Sequence, residues 1–87
     1  MDEASYDDLI NGIPLWLMEE YLHRSGASFN AQEWVHPAGW RAQVSQAADY
    51  QIGALRVGRI HLTIRGTPQS VKQAIETLKA YLVRAGG

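Results

Sequence analysis

The clearest pattern in the chain is a strict alternation of apolar and polar residues over "GRIHLTIRG". The apolar positions are Ile60, Leu62 and Ile64, and the polar positions are Arg59, His61, Thr63 and Arg65. Such alternation predicts a strand with one covered face and one open face. Leu55 and Val57 continue the pattern only if Gly58 shifts it by one residue, which predicts a β-bulge at that glycine.

The segment "EWVHPAGWRAQVS" predicts a β-hairpin that precedes this strand. Pro37 fixes φ for a turn and Gly39 can adopt positive φ, which suits a three-residue loop. His36 then pairs with Trp40. One face would carry Trp34, Trp40, Ala42 and Val44, and the other would carry Val35, Arg41, Gln43 and Ser45. We expect a further turn near "QAADYQ".

Two stretches have the periodicity of amphipathic helices. Pro14 and Gly26 suit the start and the end of a helix over about 13–25. Its apolar positions are Leu15, Met18, Tyr21 and Leu22, with Leu17 at the border. Trp16 falls on the polar side, among Glu19, Glu20 and His23. Thr67 is the predicted N-cap of a second helix that reaches about Arg84.

The predicted order is therefore helix, three or four strands, helix. We expect an α+β fold in which two helices pack on one face of a small antiparallel meander, leaving the other face open. Residues 13–87 would form this single domain. Residues 1–12 are acidic and lack a hydrophobic period, which predicts a loose arm or a short helix ended by Asn11 and Gly12.

Composition excludes several classes of protein. The 87 residues contain no cysteine, so disulfides and thiolate metal sites are absent. The longest apolar run, "IPLWLM", is far too short to cross a bilayer, and we expect a soluble, cytoplasmic protein without membrane association. The three histidines are widely separated, and catalytic motifs are lacking. We therefore expect no enzymatic activity, no metal site and no cofactor.

The charge is unevenly distributed along the chain. Residues 1–33 carry seven acidic residues and one basic residue, whereas residues 34–87 carry seven basic and two acidic residues. On the open sheet face, Arg59, His61 and Arg65 would lie beside Arg41. These side chains could bind a phosphate, a carboxylate or an acidic protein segment. The alternative is that they only keep an open sheet soluble. The row has no outward aromatics, which argues against nucleic acid.

Trp16 is the second candidate contact. An exposed tryptophan is typical of protein interfaces, where it acts as an anchor. The alternative is that the N-terminal segment, with Tyr6, Leu9 and Ile10, folds back and covers it.

The chain ends in "YLVRAGG", and a C-terminal diglycine is also what sulfur carriers and ubiquitin-like proteins use. Glycine after a helix is equally what helix capping predicts. Because Gly86 and Gly87 follow the predicted helix by a single alanine, we interpret them as the end of a helix rather than as a reactive tail.

The stretches "IPLWLMEEYLHRSG" and "IGALRVGRIHLTIRGTPQSVKQAIETLKAYL", with the hairpin between them, resemble a small uncharacterised domain of Thermus- and Deinococcus-type bacteria. That domain is the C-terminal part of proteins related to the molybdopterin synthase small subunit. The resemblance implies an α+β domain without known activity, near molybdenum-cofactor sulfur transfer. The carriers in that setting have a β-grasp fold, which the predicted element order lacks.

The leading hypothesis is a non-enzymatic domain that binds a protein partner or a second copy of itself through the open basic sheet face. Trp16 would be a second contact. The alternatives are a sensor that binds a small anion through Arg41, Arg59 and Arg65, and a diglycine carrier.

Overall fold

The computed structural model describes residues 3–86, with side chains for residues 3–83. The elements in chain order are strand β1 (Ala4–Asn11), helix α1 (Leu15–Arg24), strands β2 (Ser28–Asn30), β3 (Glu33–Val35), β4 (Arg41–Ile52) and β5 (Leu55–Gly66), and helix α2 (Pro68–Gly86). The strands form one five-stranded sheet in the order β1-β5-β4-β3-β2. All neighbouring strands are antiparallel.

The predicted order of helix, three or four strands, helix is wrong, because the chain begins with a strand. The acidic segment predicted as a loose arm or a short helix forms β1, which pairs with β5 along its whole length. Tyr6 lies opposite Ile64 and Ile10 lies opposite Ile60, so both join the covered face. Asp8 also lies on that side, opposite Leu62, and this acid interrupts the apolar alternation that would have marked a strand.

Strand β2 was also missed, because its turn lacks the usual sequence signal. β2 pairs with β3 across Ala31 and Gln32, which both have positive φ, at 52° and 68°. Two positive φ values in succession are typical of a tight hairpin turn, and they usually call for Asn or Gly. Neither residue is present at these two positions.

Strand β4 is longer than predicted. It continues through "QAADYQ", where a turn was expected, and the chain reverses only at Gly53 and Ala54. The register with β5 shifts between Ala47 and Tyr50, opposite Gly58. A bulge does occur at this level of the sheet, but the extra residue belongs to β4 and not to β5 as predicted.

Both helices begin and end close to their predicted positions. Pro14 is the N-cap of α1, and its carbonyl accepts hydrogen bonds from the N–H groups of Leu17 and Met18 at 3.1 and 3.3 Å. Gly26 follows α1 with φ of 106°. At the start of α2, the N–H of Ser70 donates to Thr67 Oγ1 at 3.2 Å, as expected of an N-cap.

The core lies between the two helices and one face of the sheet. It contains Met18, Tyr21 and Leu22 of α1, Val71, Ala74 and Leu78 of α2, and Trp40, Ala42, Ile60, Leu62 and Ile64 of the sheet region. In the hairpin, the N–H of His36 donates to the carbonyl of Trp40, and Trp34 shares a face with Ala42. The opposite face of the sheet is left without helices.

Candidate functional site

The helices leave one face of the sheet uncovered. This face, here called the open face, presents the outward side chains of all five strands. Because directly opposed residues of antiparallel strands share a face, the pairing assigns its members. They are Ser5, Asp7, Leu9 and Asn11 of β1, Ser28 of β2, Val35 of β3, Arg41, Gln43, Ser45, Ala47, Tyr50 and Ile52 of β4, and Leu55, Val57, Arg59, His61, Thr63 and Arg65 of β5.

Arg41 and Arg65, two of the predicted binding residues, are brought together on this face. They lie directly opposite each other on β4 and β5. Both line a shallow depression of about 210 Å³, whose other lining residues are Glu33, Ala42, Gln43 and Thr63. Because both line the same depression, Arg41 and Arg65 are the two members of the predicted basic row that could bind one ligand together.

Arg41 is already paired with carboxylates of the same chain. It donates a hydrogen bond to Glu3, and its Nε lies 3.5 Å from Glu33 Oε1. The hydrogen bond from Arg41 to Glu3, with the charges of both carboxylates, raises the pKa of the guanidinium above its usual range. Glu3 and Glu33 both belong to the acidic residues 1–33, and together they neutralise Arg41, the first member of the basic row.

Asp7 of β1 pairs with the middle of the row. Its Oδ1 accepts a hydrogen bond from Thr63 Oγ1 at 2.8 Å and lies 3.1 Å from His61 Nε2. The hydrogen bond from Thr63 is the main cause that lowers the pKa of Asp7, and His61 and the charge of Arg65 lower it further. His61, the third predicted binding residue, is thus engaged by a carboxylate of its own chain.

Arg59 does not join the other two arginines. Its Nε donates to the carbonyl of Ala48 at 3.1 Å, and its guanidinium carbon lies 5.7 Å from the centre of the Tyr50 ring. These contacts direct Arg59 toward the β4–β5 hairpin. The three guanidiniums proposed as one anion site therefore do not converge.

The open face also carries a set of apolar side chains that the sequence analysis did not single out. Leu9 is 52% exposed, Ile52 56% and Leu55 70%, and Val35 and Tyr50 are exposed as well. Tyr50 lies opposite Val57, and Ile52 lies opposite Leu55. The alternation of apolar and polar residues in "YQI" and "LRV" was the signal that could have identified these positions. The first stretch was instead assigned mainly to a turn, and the second was assigned to the covered face through a bulge at Gly58.

A family model described as archaeal MoaD-like protein matches residues 7–87. The match covers nearly the whole chain, from the middle of β1 through both helices. The chain belongs to the archaeal MoaD-like protein family. This membership is consistent with a link to molybdenum-cofactor biosynthesis, as the sequence resemblance implies. No curated protein shows significant similarity to the chain.

In this family member, Trp16 lies on the helix side of the molecule, away from the open face. Its side chain is 66% exposed, as the helical periodicity predicts. The N-terminal segment does not cover it: Tyr6 and Ile10 pack against the core, and Leu9 is on the open face. Trp16 lines a groove with Phe29 and Trp34, next to Glu19, Glu20 and His23.

The remaining predictions concern metals, membranes and the C-terminus. Within residues 3–86, no group of three or more potential ligands is placed to hold a metal ion. In the same part of the chain, neither helix has the length and apolar character needed to span a bilayer. Gly86 is the last residue of α2 and Gly87 lies outside the described residues, so the interpretation of the diglycine stays a prediction.

Proposed function

We propose that this chain is a non-enzymatic self-association domain, linked to molybdenum-cofactor biosynthesis, whose copies pair through the open face. One observation carries the proposal: exposed large apolar side chains are concentrated there. Within residues 3–83, Leu9, Val35, Tyr50, Ile52 and Leu55 lie on the open face, and Trp16, Phe29 and Val83 lie elsewhere. An exposed apolar surface of this kind marks an interaction site.

The charges of the open face favour a second copy over an acidic partner. The predicted basic row is in fact mixed, because Arg41 pairs with Glu3 and Glu33 and His61 pairs with Asp7. A surface that carries both signs of charge can be complementary to itself under a two-fold rotation. The pairing would then bury the apolar side chains of the face and set the charges of one copy against opposite charges of the other.

Light scattering on two matched variants tests this proposal. Leu55 and Val83 are exposed to 70% and 72%, and only Leu55 is on the open face. We expect the wild type to be a dimer at both low and high salt, since apolar burial drives the pairing. Leu55→Asp should weaken the dimer at least ~10-fold because it places a charge in the interface. Val83→Asp should leave it unchanged.

The opposite results would contradict the proposal. A strict monomer at high protein concentration in both salts would rule out self-association. Equal weakening by Leu55→Asp and Val83→Asp would show that a different surface is used.

The pathway part of the proposal is supported by family membership and by the narrower resemblance to the C-terminal part of Thermus- and Deinococcus-type proteins related to the molybdopterin synthase small subunit. In that setting the domain would act in the cytoplasm, beside the proteins that transfer sulfur. Molybdenum-cofactor genes next to this gene would support this part of the proposal, and their consistent absence from the neighbourhood would count against it.

The depression between Arg41 and Arg65 favours a second candidate function, the binding of a small anion. Thermal denaturation with phosphates, nucleotides and pterins distinguishes the two. A ligand at ~100 times its dissociation constant adds ~2.7 kcal/mol to the free energy of unfolding. Anion binding at this site predicts such a gain in the wild type and its loss in Arg65→Gln. Self-association alone predicts no gain with any of these compounds.

A further inference from the structure

A groove on the helix side of the molecule, here called the aromatic groove, takes no part in the proposed pairing. It has a volume of about 410 Å³ and is lined by Trp16, Glu19, Glu20, His23, Phe29 and Trp34. The first four come from α1 and the last two from the β2–β3 hairpin. On the side of the sheet opposite the open face, these two elements therefore build one concave surface from aromatic rings and carboxylates.

The aromatic walls remain available to a ligand. Trp16 is 66% exposed and Phe29 is 60% exposed. The rings of Phe29 and Trp34 lie 5.3 Å apart and are tilted by 59°, so the two rings present different orientations to the groove. The face of an aromatic ring carries partial negative charge and attracts a cation placed over it. Trp16 lies on the α1 side of the groove, and tryptophan is the aromatic residue that attracts a cation most strongly.

One carboxylate of the groove, that of Glu19, gives it the same preference. Glu20 accepts a hydrogen bond from Arg24 Nε at 2.9 Å, one turn later on the exposed side of α1. Glu19 has no ion-pair partner within residues 3–83. A carboxylate beside aromatic faces favours a cation and disfavours an anion.

We infer that the aromatic groove binds an arginine side chain of a partner polypeptide. A guanidinium is flat, stacks on aromatic rings and donates paired hydrogen bonds to a carboxylate, so it matches both components of the groove. Several arginines of the chain itself already have partners: Arg24 pairs with Glu20, Arg41 with Glu3 and Glu33, and Arg59 with the Ala48 carbonyl. Arg65 lies on the open face and Arg56 lies near the end of the β4–β5 hairpin, and neither lines the groove. The occupant is therefore an arginine of a separate protein.

The test is a titration of the 87-residue chain with the peptide acetyl-Gly-Arg-Gly-amide, monitored by two-dimensional NMR of the tryptophan indole N–H groups. The chain has three tryptophans, and Trp40 is only 1% exposed. We expect saturable shifts of the Trp16 and Trp34 signals and none for Trp40. The same peptide with citrulline, which has nearly the same shape but no charge, is the control and should bind at least ~10-fold more weakly.

Three variants test whether the peptide binds in the aromatic groove. Trp16→Ala and Glu19→Gln should each weaken peptide binding, the first by ~10-fold or more. Leu55→Asp should leave peptide binding unchanged even if it abolishes self-association, so the two proposals can fail separately.

Several outcomes would overturn the inference. These are equal binding of the citrulline peptide, a response that persists in Trp16→Ala, and shifts spread over all three indoles. A dimer that Trp16→Ala dissociates would also overturn it, because the groove would then be occupied by a second copy of the chain.

Discussion

At the scale of single residues, the charges of the open face are paired with carboxylates of β1, of β3 and of Glu3, the residue before β1. Asp7 illustrates how: it lies on β1 directly opposite Thr63 and accepts hydrogen bonds from two side chains of β5. Arg41 likewise forms ion pairs with Glu3 and Glu33. These pairs are exposed, so each contributes little to stability. Their effect is to replace a basic row by a surface of mixed charge.

The substitution Thr63→Val tests the hydrogen bond that lowers the pKa of Asp7. Valine keeps the shape of threonine but cannot donate a hydrogen bond, so we expect the pKa of Asp7 to rise toward the ordinary value of about 3.9. NMR titration of the Asp7 carboxyl group measures it. Because the pKa is lowered by folding, the stability that Asp7 contributes is present above its unfolded-state pKa. It is lost as pH falls through the folded-state value.

Ser45→Ala is the matched control, since Ser45 lies opposite His61 on the same face and has no hydrogen bond to Asp7 among the described residues. An Asp7 pKa that stays the same in Thr63→Val would show that Thr63 is not the main cause of the shift.

At the scale of elements, strand patterning predicted the hairpin and the middle of β5 but missed β1, β2 and the outer half of β4. The reasons are local. Asp8 faces inward in β1, the turn before β3 uses Ala31 and Gln32 instead of Gly or Asn, and the shift between Ala47 and Tyr50 breaks the alternation in β4. Helices were easier to predict, because caps such as Thr67 and the 3.6-residue period agree with each other.

Two glycines of β5 provide a test of how tightly the end of the sheet packs. A Cβ added at Gly66 would lie 2.8 Å from the carbonyl oxygen of Gly39 and 3.0 Å from the Cα of Trp40, whereas one added at Gly58 would meet nothing within 4 Å. We expect Gly66→Ala to lower the free energy of unfolding by ~1–3 kcal/mol, because backbone atoms must move. Gly58→Ala should be neutral or raise it by ~0.5–1 kcal/mol, because alanine loses less conformational freedom on folding.

Urea denaturation of the two variants beside the wild type measures both effects. If Gly66→Ala were as stable as Gly58→Ala, the close contact between the end of β5 and the loop before β4 would be wrong.

At the scale of the whole molecule, the uneven charge of the sequence has a structural explanation. The acidic residues 1–33 include β1 and Glu33, the first residue of β3, and these two strands flank β4 and the basic β5 in the sheet. Much of the asymmetry is therefore satisfied within one copy. The sequence predicted the basic row of the open face correctly as a set of outward residues, including Arg41, His61 and Arg65. It did not predict their partners, because the strand that provides Asp7 was not recognised.

The overall shape places the apolar side chains where a second copy can reach them. The molecule measures 46 × 24 × 23 Å. Residues 48–56, at the end of the β4–β5 hairpin, are exposed throughout. One side of this hairpin carries Tyr50, Ile52, Leu55 and Val57, and the other side carries polar residues such as Gln51 and Arg56. A projecting hairpin with one apolar side is suited to packing against another copy of itself.

The central claim is that copies of this chain pair through the open face, and isotope-filtered NMR on an equal mixture of ¹³C-labelled and unlabelled chains tests it most directly. Such an experiment detects only contacts between different copies. The account predicts intermolecular contacts from the methyl groups of Leu9, Ile52 and Leu55. Intermolecular contacts confined to the helix side, for example at Val83, or none at all from a sample that scatters as a monomer, would contradict it.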